Sequence, residues 1–395
     1  MHFYGYLRED GTYGVRNYVV VMSSVVCANG VVEEIARQVP GVVPITHTHG
    51  CGGTGEIAMR TLSGLGQNLN VASLVIIGLG CEESTAPDIA NVVAKTGKWV
   101  EYLVIQNDGG TAETAKKGAE IAEKMLDLVE GQKRVEAALE HLTVGLECGG
   151  SDAFSGISAN PAVGVTADLV VAEGGTVILS ELSEMVGTSH LLKRRAANAA
   201  VAEKIEAYVA LGSKASTWYA TRGYSGALAP GNVAGGLTNI VEKSLGCIAK
   251  GGSSTITDCL PYAVKPSTKG LVIMETAGYD IESVTGMVAG GAQVVIFTTG
   301  CGSPAGSPLA PVIKVVSNSN TYKKMPGDFD INAGSIIDSD KTIKEVGREI
   351  FELLVDVASG KQTKAEINKQ YQFAIRQEGF QWPTLRDIAH EGRFG

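Results

Sequence analysis

No long basic run stands anywhere in this sequence, and its net charge is −9. Nucleic acid and anionic membrane surfaces are therefore poor partners. No apolar stretch reaches the roughly 18–20 residues that a membrane helix needs. The opening MHFYGYLRED lacks the basic-then-apolar form of a signal peptide. These absences point to a soluble, cytoplasmic protein with neither membrane nor nucleic acid as partner. There is no CxxC, no GxxxxGKS/T and no GxSxG, and GLGCEE lacks the helix-opening third glycine of a dinucleotide fingerprint. Nucleotide-dependent and serine-hydrolase chemistry are disfavoured. Seven cysteines, an odd number without a secretion signal, argue against a disulfide framework.

What is present is apolar and rich in glycine. Hydrophobic residues make up 44% and charged residues 19%, which describes a packed globular chain, and 395 residues suffice for two domains. The 50 glycines follow no period. They gather at the ends of apolar runs, where close backbone approach to a ligand needs them. Strand-like runs (NYVVVMSSVV, GVVPITHTHG, VASLVIIGLGC, WVEYLVIQND) alternate with helical ones, the first of them NGVVEEIARQV with Asn29 as its N-cap. A long helix is expected over residues 110–129. After the polar stretch EGQKRVEAALEHL a new strand, TVGLECGG, begins, so the boundary falls near residue 140. The second part again alternates, with a helix expected from Met185 to Leu211, an irregular segment over 213–265, and a late helix capped by Ser339 and stopped by Gly360. The expected fold is α/β: two Rossmann-like parts, 1–140 and 141–395, with mostly parallel sheets flanked by helices. Ligands in such sheets sit beyond the C-terminal ends of the strands.

Chemistry-bearing residues gather at those ends. In HTHGC, alternate side chains share a face if the segment is extended, so His47, His49 and Cys51 can converge on a metal. GLGCEES adds Glu82, as a ligand or as an ordinary helix-start carboxylate. LECGGSDAFSGISANP packs Cys148, Ser151 and Asp152 into a turn whose amides can cradle an anion or simply cap it. SELSEMVGTSHLLKRR offers Glu181, Glu184 and His190. GNVAGGLTNIVEKSLGC offers Asn232, Thr238 and Lys243, the lysine being either a base in an apolar pocket or half of a surface pair. Cys301 and Lys314 lie in and after TTGCGSP.

Read in order, REDGTYGVRNYVVV, CANGVVEEIA, HTHGC, GLGCE, GLECGGSDAFSGISANPAVG, SEMVG, PGNVAGGLTNIVEKSLGC and TTGCGSP resemble the altronate/galactarate dehydratase family over nearly the whole chain. That family includes the large subunit of a sulfolactate sulfo-lyase. The resemblance implies a metal-dependent lyase, with Fe(II) first and Mn(II) or Zn as alternatives. It implies β-elimination from a small 2-hydroxy acid, either (2R)-3-sulfolactate to pyruvate and sulfite or a sugar acid to a 2-keto-3-deoxy acid. It also implies a separate small SAF-domain subunit, because GYLREDGTYGVRN begins almost at Met1, and hence a hetero-oligomer or a homo-oligomer. A non-catalytic or iron–sulfur redox subunit is a remote alternative. The resulting assignments are His47, His49, Cys51, Glu82 and Cys148 to metal, with Glu184 a further ligand or catalytic group. Lys243 is the base, with His190 the runner-up. Arg16, Asn29, Ser151, Asp152, Asn232, Thr238 and Lys314 bind substrate. The dehydratases often carry Tyr, Lys and Arg where this chain has His49, Val233 and Cys301, so two cations of a sugar-acid site are missing.

Overall fold

The computed structural model describes residues 1–52, 55–221 and 228–376. Two parallel sheets organise it. The first has four strands in the order Val43–Ile45, Tyr18–Ser23, Val71–Gly78, Trp99–Val104. The second has seven, ordered Ile256–Leu260, Gly270–Met274, Thr176–Leu179, Thr143–Cys148, Val294–Thr299, Val312–Val316, Ile331–Asn332. Every pairing in both is parallel. Helices cover the sheets, so the α/β expectation holds. A small antiparallel ribbon, Tyr13–Gly14, His2–Leu7 and Val135–Ala138, ties the N-terminus to the segment before residue 140. The expected boundary itself lies in the single turn Leu139–His141.

The parallel strands are apolar almost throughout because both faces are covered; Val294–Thr299 is buried at every position. One apolar cluster runs through both sheets, joining Met22 and Ile76 to Ile178, Val272 and Phe297. The order of each sheet reverses beside its first strand. In the first sheet that switch lies between Tyr18–Ser23 and Val71–Gly78, in the second between Thr143–Cys148 and Val294–Thr299. Crevices for ligands open at such points.

Several local expectations change. The strand before HTHGC ends at Ile45, so His47–Cys51 is a loop and its side chains do not alternate on one strand face. Ala28, not Asn29, caps helix Asn29–Gln38. Helix Gly55–Gln67 is masked in the sequence by its glycines, yet they let it approach its neighbours: a Cβ on Gly64 would meet the Ala289 carbonyl. The helix expected from Met185 is broken: Gly187 sits at φ +77°, and the long helix starts only at Ala199, where the Asn198 side chain accepts from Val201 N at 3.0 Å. The supposedly irregular 213–265 contains helices Pro230–Ala234 and Ile240–Ala249 and strand Ile256–Leu260. Helix Ile343–Ala358 starts at Thr342 rather than Ser339, because Thr342 and Glu345 bond reciprocally. Gly360 does end it, at φ +118°.

Candidate active site

Strand Thr143–Cys148 delivers two acidic-site residues to opposite faces. Cys148 meets Glu181, Glu184 and Cys247, whose ligand atoms all lie within 4.8 Å of one another. Among the described residues this is the one group of three or more His, Cys, Asp or Glu side chains that converges so tightly. The Cys148 thiol lies 3.4 Å from Glu181 Oε1 and 3.3 Å from Glu184 Oε2. Glu181 holds its place through an uncommon left-handed backbone, φ +74°. Helix Ile240–Ala249 supplies the rest. Lys243, Cys247 and Lys250 follow at i, i+4 and i+7, so they share one face. Asn239 starts that helix by accepting from Glu242 N at 2.9 Å. Its contact with the turn after the strand requires two glycines: a Cβ on Gly246 or on Gly156 would sit 3.1–3.2 Å from the other's Cα.

Two ammonium groups neutralise the two carboxylates. Lys243 Nζ lies 2.6 Å from Glu184 Oε1 and 3.4 Å from Asn232 Oδ1. Lys250, wholly buried, pairs with Glu181. Each carboxylate thus turns one oxygen to a lysine and the other to the thiol. Burial pushes the Glu184 carboxyl up, against the pull of Lys243. Burial alone would lower the Lys243 ammonium, but Glu184 and Cys148 outweigh it and raise it. That corrects the assignment of Lys243 as a free-amine base, which needs a lowered value. Glu147, on the opposite strand face, is buried and pushed well up by burial and by Glu181. Its Oε2 accepts from Ser283 Oγ at 2.5 Å while Oε1 has no partner.

The donor set fits a thiophilic divalent metal. Two thiolates, two carboxylates, two ammonium groups and one dication sum to zero charge. Two protonated thiols without the metal also sum to zero, so binding an ion would release two protons. Cysteine and carboxylate together suit iron or zinc.

A cleft of about 440 Å³ adjoins the cluster, lined by Ser151, Asp152, Asn160, Asn239, Glu242 and Lys243 among others. The Ser151 hydroxyl is buried without a partner. A second cleft, about 490 Å³, includes Gly278, Asp280 and Ser303. A Cβ on Gly278 would sit 2.7 Å from Ser183 Oγ and 3.2 Å from Glu184 Oε1, so this glycine lies directly against the pair. The Lys243–Glu184 pair therefore stands between the two clefts.

The other assigned residues divide. Ser151, Asp152, Asn232, Glu184, Cys148 and Lys243 lie close to one another. Asp152 organises its own turn, accepting from Ser155 N at 2.8 Å, Ser317 Oγ at 2.7 Å and Asn318 Nδ2 at 2.9 Å, so the expected anion cradle is already filled by this carboxylate. Asn232 donates to the Ser151 carbonyl at 2.9 Å. Arg16 is a correction: it is buried in a two-oxygen pair with Glu366 at 2.7 and 2.9 Å, and its remaining donors go to carbonyls of Val15, Val357 and Lys361. Lys314 is another. Wholly buried, it donates to Ser303 O at 2.8 Å and to Gln370, and burial lowers it to about 8. Thr238 is exposed and serves the helix start, donating to Glu242 at 2.6 Å. His190 is exposed on the short helix Ser189–Leu192 and lines neither cleft.

The HTHGC group does not form the expected ligand set. His47 Nε2 donates to Ser23 O at 2.9 Å and Nδ1 accepts from His49 N at 3.2 Å, so both nitrogens are committed. Burial lowers its pKa to about 4. Asn29 pins this loop rather than a substrate, donating to His47 O at 2.8 Å. Glu82 closes the loop after Val71–Gly78: burial opposes its charge, but Gly80 N at 2.7 Å and Ser24 Oγ at 2.7 Å hold its carboxyl below the ordinary value. Sequence reasoning passed over Cys247 and Lys250 and left Glu181 without a role. The signal was there in the four-then-three spacing from Lys243.

Residues 139–381 match the model described as D-galactarate/Altronate dehydratase, C-terminal, and residues 5–130 match D-galactarate dehydratase/Altronate hydrolase, second domain. The chain belongs to the altronate/galactarate dehydratase family. It is 33% identical to altronate dehydratase of Bacillus subtilis (strain 168), across 95% of this chain and 78% of that one. It is 35% identical to galactarate dehydratase (L-threo-forming) of Escherichia coli (strain K12), across 91% and 73%. It is 32% identical to (2R)-sulfolactate sulfo-lyase subunit beta of Chromohalobacter salexigens, across 94% and 96%. These relatives are lyases, and so is this member of the family. No described helix is long and apolar enough to cross a membrane.

Proposed function

We propose that this chain, with domains 1–140 and 141–395, catalyses β-elimination from a 2-hydroxy acid, foremost the cleavage of (2R)-3-sulfolactate to pyruvate and sulfite. It would act in the cytoplasm as the large subunit of a two-subunit enzyme with a small SAF-type partner. The observation that carries this reading is the Lys243–Glu184 pair standing between two clefts. Lys243, as an ammonium, meets the substrate carboxylate and the negative charge that develops as the C2 proton leaves. Glu184, raised by burial, accepts that proton. The C2–H electron pair becomes the C2–C3 double bond and the C3–S bond breaks, releasing sulfite. The enol then tautomerises to pyruvate. Ser151, with its unpartnered hydroxyl, lines the first cleft, and Asn232 holds the Ser151 carbonyl beside Lys243. Fe(II), or alternatively Mn(II) or Zn, is the proposed cofactor. Cys148, Glu181 and Cys247, beside Glu184, would hold it, and it would supply Lewis acidity toward the substrate oxygens.

The second reading is a split sugar-acid dehydratase, favoured by the altronate and galactarate dehydratase relatives. Against it, Val233 and Cys301 offer no cation, and the Cys301 thiol lies 3.6 Å from Gly231 O. An anaerobic assay with Fe(II) and a small SAF-type subunit, offering (2R)-3-sulfolactate and D-altronate in parallel, separates the two. Sulfite with pyruvate supports the first, and a 2-keto-3-deoxy acid supports the second. Bound metal with neither product refutes both substrates.

A further inference from the structure

Of the five cysteines outside the buried cluster, three stand on the loops that follow the first three strands of the four-stranded sheet. Cys27 follows Tyr18–Ser23, Cys51 follows Val43–Ile45, and Cys81 follows Val71–Gly78. These loops surround that sheet's switch point, and direct bonds fasten them together. Val26 N donates to His49 O at 2.8 Å, Glu83 N to Cys51 O at 3.1 Å, and Ser24 Oγ to Glu82 at 2.7 Å. Each cysteine is thus within two residues of a bond to a neighbouring loop. All three are exposed, while Cys148, Cys247 and Cys259 are buried. Unpaired cysteine is among the most buried of residue types, so three exposed thiols on adjoining loops need a reason.

We infer that Cys27, Cys51 and Cys81 together hold an iron–sulfur cubane by three of its corners. A single ion is a poor fit, since these donors do not gather within the 4.8 Å that the buried tetrad achieves. A cubane presents its corners farther apart than the ligands of one ion. Soft thiolates select such clusters, and the neighbouring His47 has no nitrogen to offer. The described residues of these loops provide no fourth cysteine, so one iron is left for an oxygen ligand. The second cleft lies near these loops. The His47 ring lies 6.5 Å from that of Phe373, whose neighbours Gln372 and Ala374 line the second cleft with Asp280. The cluster does not rest on the lyase reading.

The test is made on the full chain, purified anaerobically and reconstituted with ferrous iron, sulfide and a thiol reductant. Iron, acid-labile sulfide and visible absorbance are measured together. The expected result is labile sulfide matched by iron, or exceeded by one iron per chain where the buried tetrad is also loaded, with a several-fold loss of sulfide in each of Cys27→Ser, Cys51→Ser and Cys81→Ser. Cys259→Ser, a buried thiol elsewhere, retains it. Unfolding midpoints of the serine variants show that loss of sulfide is not loss of fold. Iron without labile sulfide, or sulfide indifferent to all three substitutions, overturns the cluster. Lyase turnover with a lone ferrous ion would then leave the proposed reaction standing. A cluster that forms in a chain inactive on both acids would do the reverse.

Discussion

Beyond the four-stranded sheet, Cys27, Cys51 and Cys81 are exposed on loops tied to one another mainly through backbone groups. Beyond the seven-stranded sheet, Cys148 and Cys247 are buried among two carboxylates and two lysines. Both places are C-terminal strand ends in one molecule, and both pair cysteine with glycine. The difference is cover. Helix Ile240–Ala249 lies across the second place and brings its own counter-charges, so every ionised group there has a partner. Buried charge is tolerable only on those terms. Among the described residues no such helix brings lysines to the first place, and Asn29, His47 and Glu82 there serve to fix loops.

Cutting the pair that faces the clefts tests the contrast most strongly. Lys243→Met removes the ammonium and should lower turnover by about 10²–10³-fold, read by steady-state assay of product. Unchanged turnover would take catalysis away from the buried side. Next in size is Lys250→Met, which leaves Glu181 buried without its partner and should cost about 3–5 kcal/mol in urea unfolding. A loss under 1 kcal/mol would mean that the cluster is not held by charge pairing.

The two regions should also answer pH with opposite sign. His47 is lowered from 6.5 to about 4 by burial. The unfolded chain then binds the extra proton, so stability is lost as pH falls from about 6.5 toward 4, by about 3 kcal/mol. Asp280 is raised from 3.8 to about 7 by burial and by Glu181 and Glu184. Here the folded state holds the proton, so stability falls as pH rises across that window. His47→Gln should flatten the acid limb and Asp280→Asn the neutral one, measured as unfolding midpoints from pH 4 to 8. Both variants tracking the parent would erase the distinction. The smallest effect belongs to Cys81→Ser, whose exposed side chain should shift stability by less than about 0.5 kcal/mol. A larger shift in metal-free protein would show that this loop is packed as tightly as the buried cluster.

The α/β alternation was legible because periodicity is local: β-branched runs such as NYVVVMSSVV can be satisfied only as covered strands, and amphipathic IKEVGREIFELLVDVA only as a helix on a core. The strand-end location of the sites followed from the same pattern. The spacing of Lys243, Cys247 and Lys250 was legible as well, since a helix places i, i+4 and i+7 on one face. What those side chains meet was not. Cys148 faces Cys247, Lys250 faces Glu181, and Arg16 is spent on Glu366. None of these partners lies within a local window, so only the folded chain could choose them. His47 shows the same limit in reverse. Its neighbours in sequence suggested a metal ligand, but the carbonyl of Ser23, reached only through the fold, had already taken its ring nitrogen. Sequence fixes which groups a segment can present and in what direction. Tertiary structure decides which are neutralised and which are left open, because burial and charge pairing act between residues that the chain itself keeps far apart.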